Sequence, residues 1–293
     1  MSHDGSLPAK REATALTLTG KVCVVTGAGA GIGRATAVEM ASRGARAVVP
    51  ADVNLDAATE TAALVEMQGA GSVAVRCDVS SSAEVASLMS TVARSFGRID
   101  VLHNNAGIHE TSLTDAARLE TLPEHIFDQV VGVNLKGVWL GTKHVTPYMR
   151  ESGGGAIVNA SSLSGLVGFD SAGVYCATKG AVVLLTKVTA LELAADGIRC
   201  NCYCPGAVAT AMARGYVDGS PDPVAAEQTL VASHLIPRMA EPVEIARLVC
   251  FLASDESSFM TGAAVTIDGG ATAWRGVRVP EPTTVDSVPD AGA

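Results

Sequence analysis

Residues 21–37 read KVCVVTGAGAGIGRATA. A short β-branched run from Val22 to Thr26 meets glycines at 27, 31 and 33, and small apolar residues then recur at helical spacing. A turn this tight between strand and helix needs positive φ and close backbone approach, which glycine tolerates without strain. The stretch therefore reads as strand, glycine turn and helix, the opening of a βαβ unit.

The alternation continues along the chain. "RAVVPAD" (46–52), "SVAVRCD" (72–78), "IDVLHNN" (99–105), "GAIVNAS" (155–161), "IRCNCYC" (198–204) and "AAVTIDGG" (263–270) are apolar on both faces, as parallel strands covered by helices must be. Between them, Ser81 with Glu84 three residues later predicts a capping box, and Pro242 after Glu241 suits the first turn of another helix. The expected fold is α/β: a Rossmann-type doubly wound parallel sheet of about seven strands, with helices on both faces, in a single domain over residues 20–274. Residues 207–238 form an excursion over its rim. Residues 1–19 and 275–293 carry no convincing period and read as a flexible N-terminal extension and a flexible or partner-docked tail.

Composition narrows the function. The chain has 293 residues, is 48% hydrophobic and carries a net charge of -9, which suits a large core and leaves no basic cluster for a nucleic acid backbone. The N-terminus lacks the apolar core of a secretory signal, and no uninterrupted apolar run reaches the length of a bilayer span. A cytoplasmic protein with free thiols is expected, since its cysteines number seven, an odd count. Cys200, Cys202 and Cys204 alternate along a strand and do not converge on one ion, so no metal site is expected.

Three groups of residues point to chemistry. The helix N-terminus after Gly33 can face a pyrophosphate, and Asp52 ends the second strand about 20 residues beyond, where a nucleotide-binding unit places the acid that binds ribose hydroxyls. That carboxylate repels a 2′-phosphate, so NAD is expected over NADP. Arg34, at the start of the helix, is the counterargument unless it faces solvent, and Asp52 could instead cap the next helix. Tyr175 and Lys179 stand at i and i+4 on one helix face, and Ser162 ends the strand "AIVNASS" shortly upstream. A tyrosine of ordinary pKa about 10 would need lowering by about 2–3 units to serve as a base near neutrality, and a lysine about 4 Å away supplies that order of energy. Ser162 would hold a carbonyl or alkoxide oxygen against Tyr175. Asn134, in an otherwise apolar helix, reads as either a structural kink or the anchor of a water serving Lys179.

The ordered set "TGAGAGIG", "NNAG" (104–107), Asn134, Ser162, "YCATK" (175–179), "PGAVAT" (205–210) and "TGAAVTIDGG" resembles the short-chain dehydrogenase/reductase family over about residues 18–273. The resemblance implies a catalytic tetrad of Asn134, Ser162, Tyr175 and Lys179. It implies cofactor contacts from Gly27, Gly31, Ile32, Gly33 and Asp52, with Asp78 and Val79 beside adenine, and Asn105, Ala106 and Gly107 as support. Pro205, Gly206, Val208 and Thr210 would hold the nicotinamide, with Tyr175 and Lys179 reaching its ribose. It also implies a homo-oligomer, a tetramer or dimer, paired through the helices of Asn134 and Tyr175 and the last strand.

His103 departs from the family's apolar residue before "NNAG" and reads as a satisfied structural histidine. Trp274 reads as packing or interface. The loop "LSGLVGFDSAGV" offers apolar groups and no cation, which favours a neutral, partly apolar alcohol or ketone. A 3-hydroxy acid would need Arg214 or Arg238 for its anion; a 3-oxoacyl thioester or a steroid would also suit. The competing class is a dinucleotide-sensing protein without turnover, against which the intact tetrad argues.

Overall fold

Strand β1 (Val22–Thr26) is buried at every position, and its residues alternate between two cores. Cys23 and Val25 join one, Val22 and Val24 the other, as the period of a strand with both faces covered requires. The computed structural model describes residues 18–274 and 276, so the readings of residues 1–17, 275 and 277–293 lie outside the described residues.

Around β1 the sheet is parallel throughout, in the order β3-β2-β1-β4-β5-β6-β7. The other strands are β2 (Ala47–Asp52), β3 (Val75–Arg76), β4 (Val101–Asn104), β5 (Gly155–Ala160), β6 (Ile198–Pro205) and β7 (Ala264–Ile267). The strand order reverses between β1 and β4, and the crevice at their carboxyl ends is where such a sheet takes its ligand. The glycine turn follows one of these strands and the "NNAG" segment follows the other.

Helices α1 (Gly31–Ser42), α2 (Leu55–Met67) and α9 (Pro242–Ala253) pack on one face of the sheet through Met40, Val65, Ile245 and Val249. Helices α3 (Ser82–Phe96), α5 (Gly137–Glu151) and α6 (Gly173–Leu193) cover the other through Leu88, Met89, Leu140, Met149 and Leu193. Helix α4 (Glu124–Val131) leads into α5, and α7 (Ala211–Asp218) and α8 (Pro223–Val231) form the excursion after β6. The stretch Gly173–Asp196, which contains an 18-residue window with a mean hydropathy of 1.4, is long and apolar enough to cross a membrane by composition. Here one face packs against β5 and β6 with Lys179 buried in it, while Leu184, Val188 and Leu191 on the other face are exposed.

Two local readings are corrected. β3 is only two residues long, because past Gly71 the chain meets only β2, and an edge strand gains pairing on one side alone. The capping box at Ser81 is half formed. Ser81 accepts from the Glu84 amide, but the Ser81 amide already donates to the Asp78 carbonyl, and the Glu84 carboxylate accepts from the Asp78 amide and pairs with Arg76 instead. A reciprocal box forms instead between Glu241 and Glu244, with Pro242 between them at the first helical position.

Candidate active site

The glycine turn is shaped by contacts with its neighbours. Gly27 and Gly31 have φ of +62° and +52°, and a Cβ on Gly33 would lie 2.2 Å from the Gly27 carbonyl oxygen. No larger residue fits the helix start against the turn. Asn105 secures the turn by donating from Nδ2 to the Thr26 and Gly27 carbonyls at 2.9 and 3.0 Å. The Asn105 and Ala106 amides both donate to Thr26 Oγ1, at 3.0 and 3.2 Å. Ile32 sits half-buried against the core behind the turn.

Asp52 directs its carboxylate into this turn. Oδ2 accepts from the Gly29 amide at 2.8 Å and Oδ1 from the Asn54 amide at 2.9 Å. The cap of α2 is Asn54, which accepts from the Ala57 amide, so the capping alternative for Asp52 falls away. Arg34 does not simply face solvent. It bonds α2 at Thr61 and Glu60, at 3.1 and 2.9 Å, which draws its charge away from the end of β2. Asp78 accepts from the Ser80 amide and hydroxyl, and Val79 is buried against Gly137.

Ser162, Tyr175, Lys179 and Asn134 come together at the carboxyl end of β5. Ser162 follows this strand, caps a short turn by accepting from the Ser164 amide at 3.1 Å, and acts to lower the pKa of the Tyr175 hydroxyl. Lys179 is buried and donates to the Ala160 carbonyl at 2.9 Å, with Nζ 5.5 Å from the centre of the Tyr175 ring. Gly107 lies across from both Lys179 and Asn134: a Cβ there would be 3.4 Å from Lys179 Nζ and 3.5 Å from Asn134 Oδ1.

Asn134 lies in a π-helical segment, Gly132–Lys136, between α4 and α5, where the Gly137 amide reaches back to the Gly132 carbonyl. This is the kink reading in structural form, and wide turns of this kind occur at functional sites. The Asn134 side chain clamps Ile108, accepting from its amide at 2.9 Å and donating to its carbonyl at 2.8 Å.

The electrostatics differ from the expectation of a lysine-lowered phenol. Burial pushes the Tyr175 hydroxyl up to about 12, the Ser162 hydrogen bond opposing it, and burial pulls Lys179 down to about 8. Lys179 gives its hydrogen bond to a backbone carbonyl, and desolvation dominates the shift of the phenol.

The "PGAVAT" segment closes the other side. Pro205 ends β6, Val208 is buried and bridges to Ala240, and Thr210 caps α7. A Cβ on Gly31 would lie 3.1 Å from the Thr210 methyl group, so the segment meets the glycine turn directly. Sequence reasoning missed what supports it. His234 is buried, with Nδ1 3.1 Å from the Arg238 carbonyl and Nε2 accepting from the Ala207 amide at 3.4 Å, and a Cβ on Gly206 would lie 2.7 Å from Nε2. A lone histidine in a loop carries no spacing that could reveal this.

Glu110 was missed for the same reason. Fully buried in the loop after β4, it accepts on Oε1 from the Val174 and Tyr175 amides at 3.0 and 3.1 Å.

His103 is structural, as expected, but not fully satisfied: Nε2 lies 3.0 Å from the Tyr203 hydroxyl while the buried Nδ1 has no partner. Arg238 is held by both carboxylate oxygens of Glu244, at 2.7 and 2.9 Å, and Arg214 is exposed. Trp274 donates to the Ser233 carbonyl at 2.8 Å, a packing role. Cys200, Cys202 and Cys204 are buried in β6.

The sequence profile of a family described as enoyl-(acyl carrier protein) reductase matches residues 27–272. The meso-2,3-butanediol dehydrogenase of Serratia marcescens is 41% identical over 262 residues, covering 87% of this chain and 96% of that protein. The solved structure of levodione reductase superposes with a TM-score of 0.82 at 36% identity, covering 87% of this chain and 99% of that one. A short-chain type dehydrogenase/reductase from Mycobacterium marinum gives 0.77 at 31% identity, covering 88% and 97%. The parallel sheet, the glycine turn and these full-length matches agree: the chain belongs to the short-chain dehydrogenase/reductase family and is an oxidoreductase acting on CH–OH groups.

Proposed function

We propose that this chain is an NAD-dependent dehydrogenase that interconverts a secondary alcohol and a ketone, with Tyr175 as the general acid/base. The observation that carries the reading is the cluster at the carboxyl edge of the sheet, where buried Lys179 stands with Nζ 5.5 Å from the centre of the Tyr175 ring, Ser162 follows β5, and Gly107 lies against both Lys179 and Asn134. A dinucleotide fits the residues present: Gly33 admits no side chain, Gly27 and Gly31 hold positive φ, and Asp52 stands at the end of β2. With Arg34 tied to α2, the acidic strand end favours ribose hydroxyls over a 2′-phosphate.

A bound nicotinamide supplies the hydride donor or acceptor. Ser162 holds the substrate oxygen by hydrogen bonding, and Tyr175, kept protonated by burial, gives its proton to that oxygen as a ketone becomes an alcohol. In the reverse direction Tyr175 acts as the phenolate that the forward step leaves and takes the hydroxyl proton, and Lys179, pulled down to about 8 by burial, is able to change charge near neutrality. Asn134 holds the loop at Ile108 so that Gly107 stays clear of both groups.

The substrate is a small, neutral, partly apolar alcohol or ketone. Leu166, Val167 and Phe169 between Ser162 and Tyr175, and Met212 and Tyr216 on α7, are exposed apolar groups, while Arg238 is occupied by Glu244. The substrates named for the butanediol and levodione relatives are of this kind. Exposed Phe127, Trp139, Leu184, Val188 and Leu191 on α4, α5 and α6 support pairing of copies into a dimer or tetramer. The seven free cysteines suit a reducing, cytoplasmic setting.

The test is turnover of a panel of secondary alcohols and ketones with NAD and NADP, alongside Tyr175→Phe. Loss of turnover in the variant with NADH binding retained supports the mechanism. Full turnover without the phenol overturns it, and NADH binding without turnover on any substrate would point to a sensor.

A further inference from the structure

The first turn of α6 carries Tyr175, yet it has no cap of its own. Ala172 stands at the N-cap position with no side-chain hydrogen bond. Unpaired amides at a buried helix start are costly, and here they are met by a residue from far along the chain. Glu110, in the turn after β4, accepts on Oε1 from the amides of Val174 and Tyr175 at 3.0 and 3.1 Å. The carboxylate is fully buried, and its second oxygen has no hydrogen-bond partner. That oxygen lies 3.6 Å from His109 Nδ1.

His109 is itself placed against the tyrosine. Its ring centre lies 4.5 Å from that of Tyr175, tilted by 34°. Nδ1 accepts from the Thr111 amide at 3.2 Å, which assigns the ring proton to Nε2 and leaves Nδ1 and Glu110 Oε2 as facing acceptors. A half-satisfied buried carboxylate beside a histidine is an expensive arrangement for packing alone. A glutamine in its place would cap the two amides equally well, and what the carboxylate adds is charge.

Resting on the reading of Tyr175 as the acid/base, we propose that Glu110 is its positioning residue. Glu110 fixes the first turn of α6 and places a buried negative charge at the backbone amide of Tyr175, which favours the protonated, proton-donating form of its hydroxyl. A helix N-terminus stabilises a nearby anion, so an uncapped first turn would favour the phenolate, and the Glu110 charge cancels that effect. Burial raises Tyr175 most, the Cys176 charge next, and the charge of Glu110 adds the smallest of the raising effects. The other groups facing Tyr175 are Lys179 and Cys176 on α6, Ser162 after β5, Tyr203 on β6 and His109 itself. Protonation of His109 would pair it with Glu110 and weaken the effect; burial lowers His109, so the charge stands uncancelled near neutrality.

The experiment is a titration of protein labelled with 13Cζ-tyrosine, four residues in all, with Tyr175→Phe identifying the Tyr175 resonance. It is read in wild type, Glu110→Gln and Glu110→Ala, and it needs no substrate. Glu110→Gln keeps the amide acceptor and removes the charge. Its Tyr175 midpoint is expected to fall by about half a unit or more, with the alkaline limb of kcat/KM moving to lower pH in parallel and NADH affinity unchanged. Glu110→Ala, which also removes the cap, is expected to lose kcat by about tenfold or more. An unmoved Tyr175 midpoint in folded Glu110→Gln overturns the proposal. A midpoint that moves while kcat/KM does not follow leaves the electrostatic link standing and counts against Tyr175 as the acid/base, so the two failures are separable.

Discussion

Lys179 donates to the carbonyl of Ala160 at 2.9 Å, while its nitrogen stays 5.5 Å from the centre of the Tyr175 ring. The helix and the strand end are thereby joined through a charge in a nearly dry place. Burial pulls that amine down to about 8 from its ordinary 10.5, so keeping it charged costs the folded state about 3 kcal/mol.

Lys179→Met should therefore stabilise the protein at pH 7 while abolishing turnover. The lost hydrogen bond to Ala160 offsets about 1 kcal/mol, leaving a net gain of about 2 kcal/mol. The sign follows from linkage. Between about 8 and 10.5 the unfolded lysine holds a proton that the folded one has lost, so this group's penalty is full below 8 and fades as pH rises toward 10.5. Urea unfolding of both proteins at pH 7 and pH 10 checks it, and a gain that is larger at pH 10 contradicts it.

The His103 imidazole, the Tyr203 hydroxyl and Asn105 form a buried line to the glycine turn. Tyr203 donates to Asn105 Oδ1 at 3.4 Å, so it accepts from His103 Nε2 and leaves His103 Nδ1 as a bare acceptor. Burial lowers His103 to about 3, so its contribution to stability is complete above 6.5 and is lost as pH falls toward 3. His103→Leu should cost about 1 kcal/mol or less at pH 7 and be the more stable protein by about 2 kcal/mol near pH 4.5. Parallel stability curves across that range would rule this out.

Asp52 accepts from the Gly29 amide and stands where a ribose would lie in the proposed cofactor site. Asp52→Ala should lower the ratio of kcat/KM with NAD to that with NADP by about tenfold or more, about 1.4 kcal/mol. Weaker binding of both cofactors by the same factor would show that Asp52 acts only by shaping the turn.

Much of this architecture was legible in the linear chain because it rests on local rules. Seven β-branched runs became seven parallel strands: β1, β2, β4, β5 and β6 lie buried between two helical layers, where a run apolar on both faces is stable, and the half-exposed β3 and β7 form the edges. Gly27 and Gly31 took positive φ, as a turn between strand and helix demands. Tyr175 and Lys179 share a helix face by periodicity, and Ser162 follows β5 and meets Tyr175 at the sheet edge where such folds gather ligands.

Tertiary structure alone decided what those residues touch. Arg34 could have faced a cofactor or solvent, and its choice of Glu60 and Thr61 on α2 depends on how two helices lie together. The cap of the Tyr175 helix comes from Glu110, and the "PGAVAT" loop rests on His234, both partners distant in sequence. The direction in which Tyr175 and Lys179 shift was equally hidden, because desolvation is a property of everything packed around a group. Periodicity and backbone sterics act within a few residues and can be read in order along the chain, whereas burial and long-range capping exist only after distant segments have met.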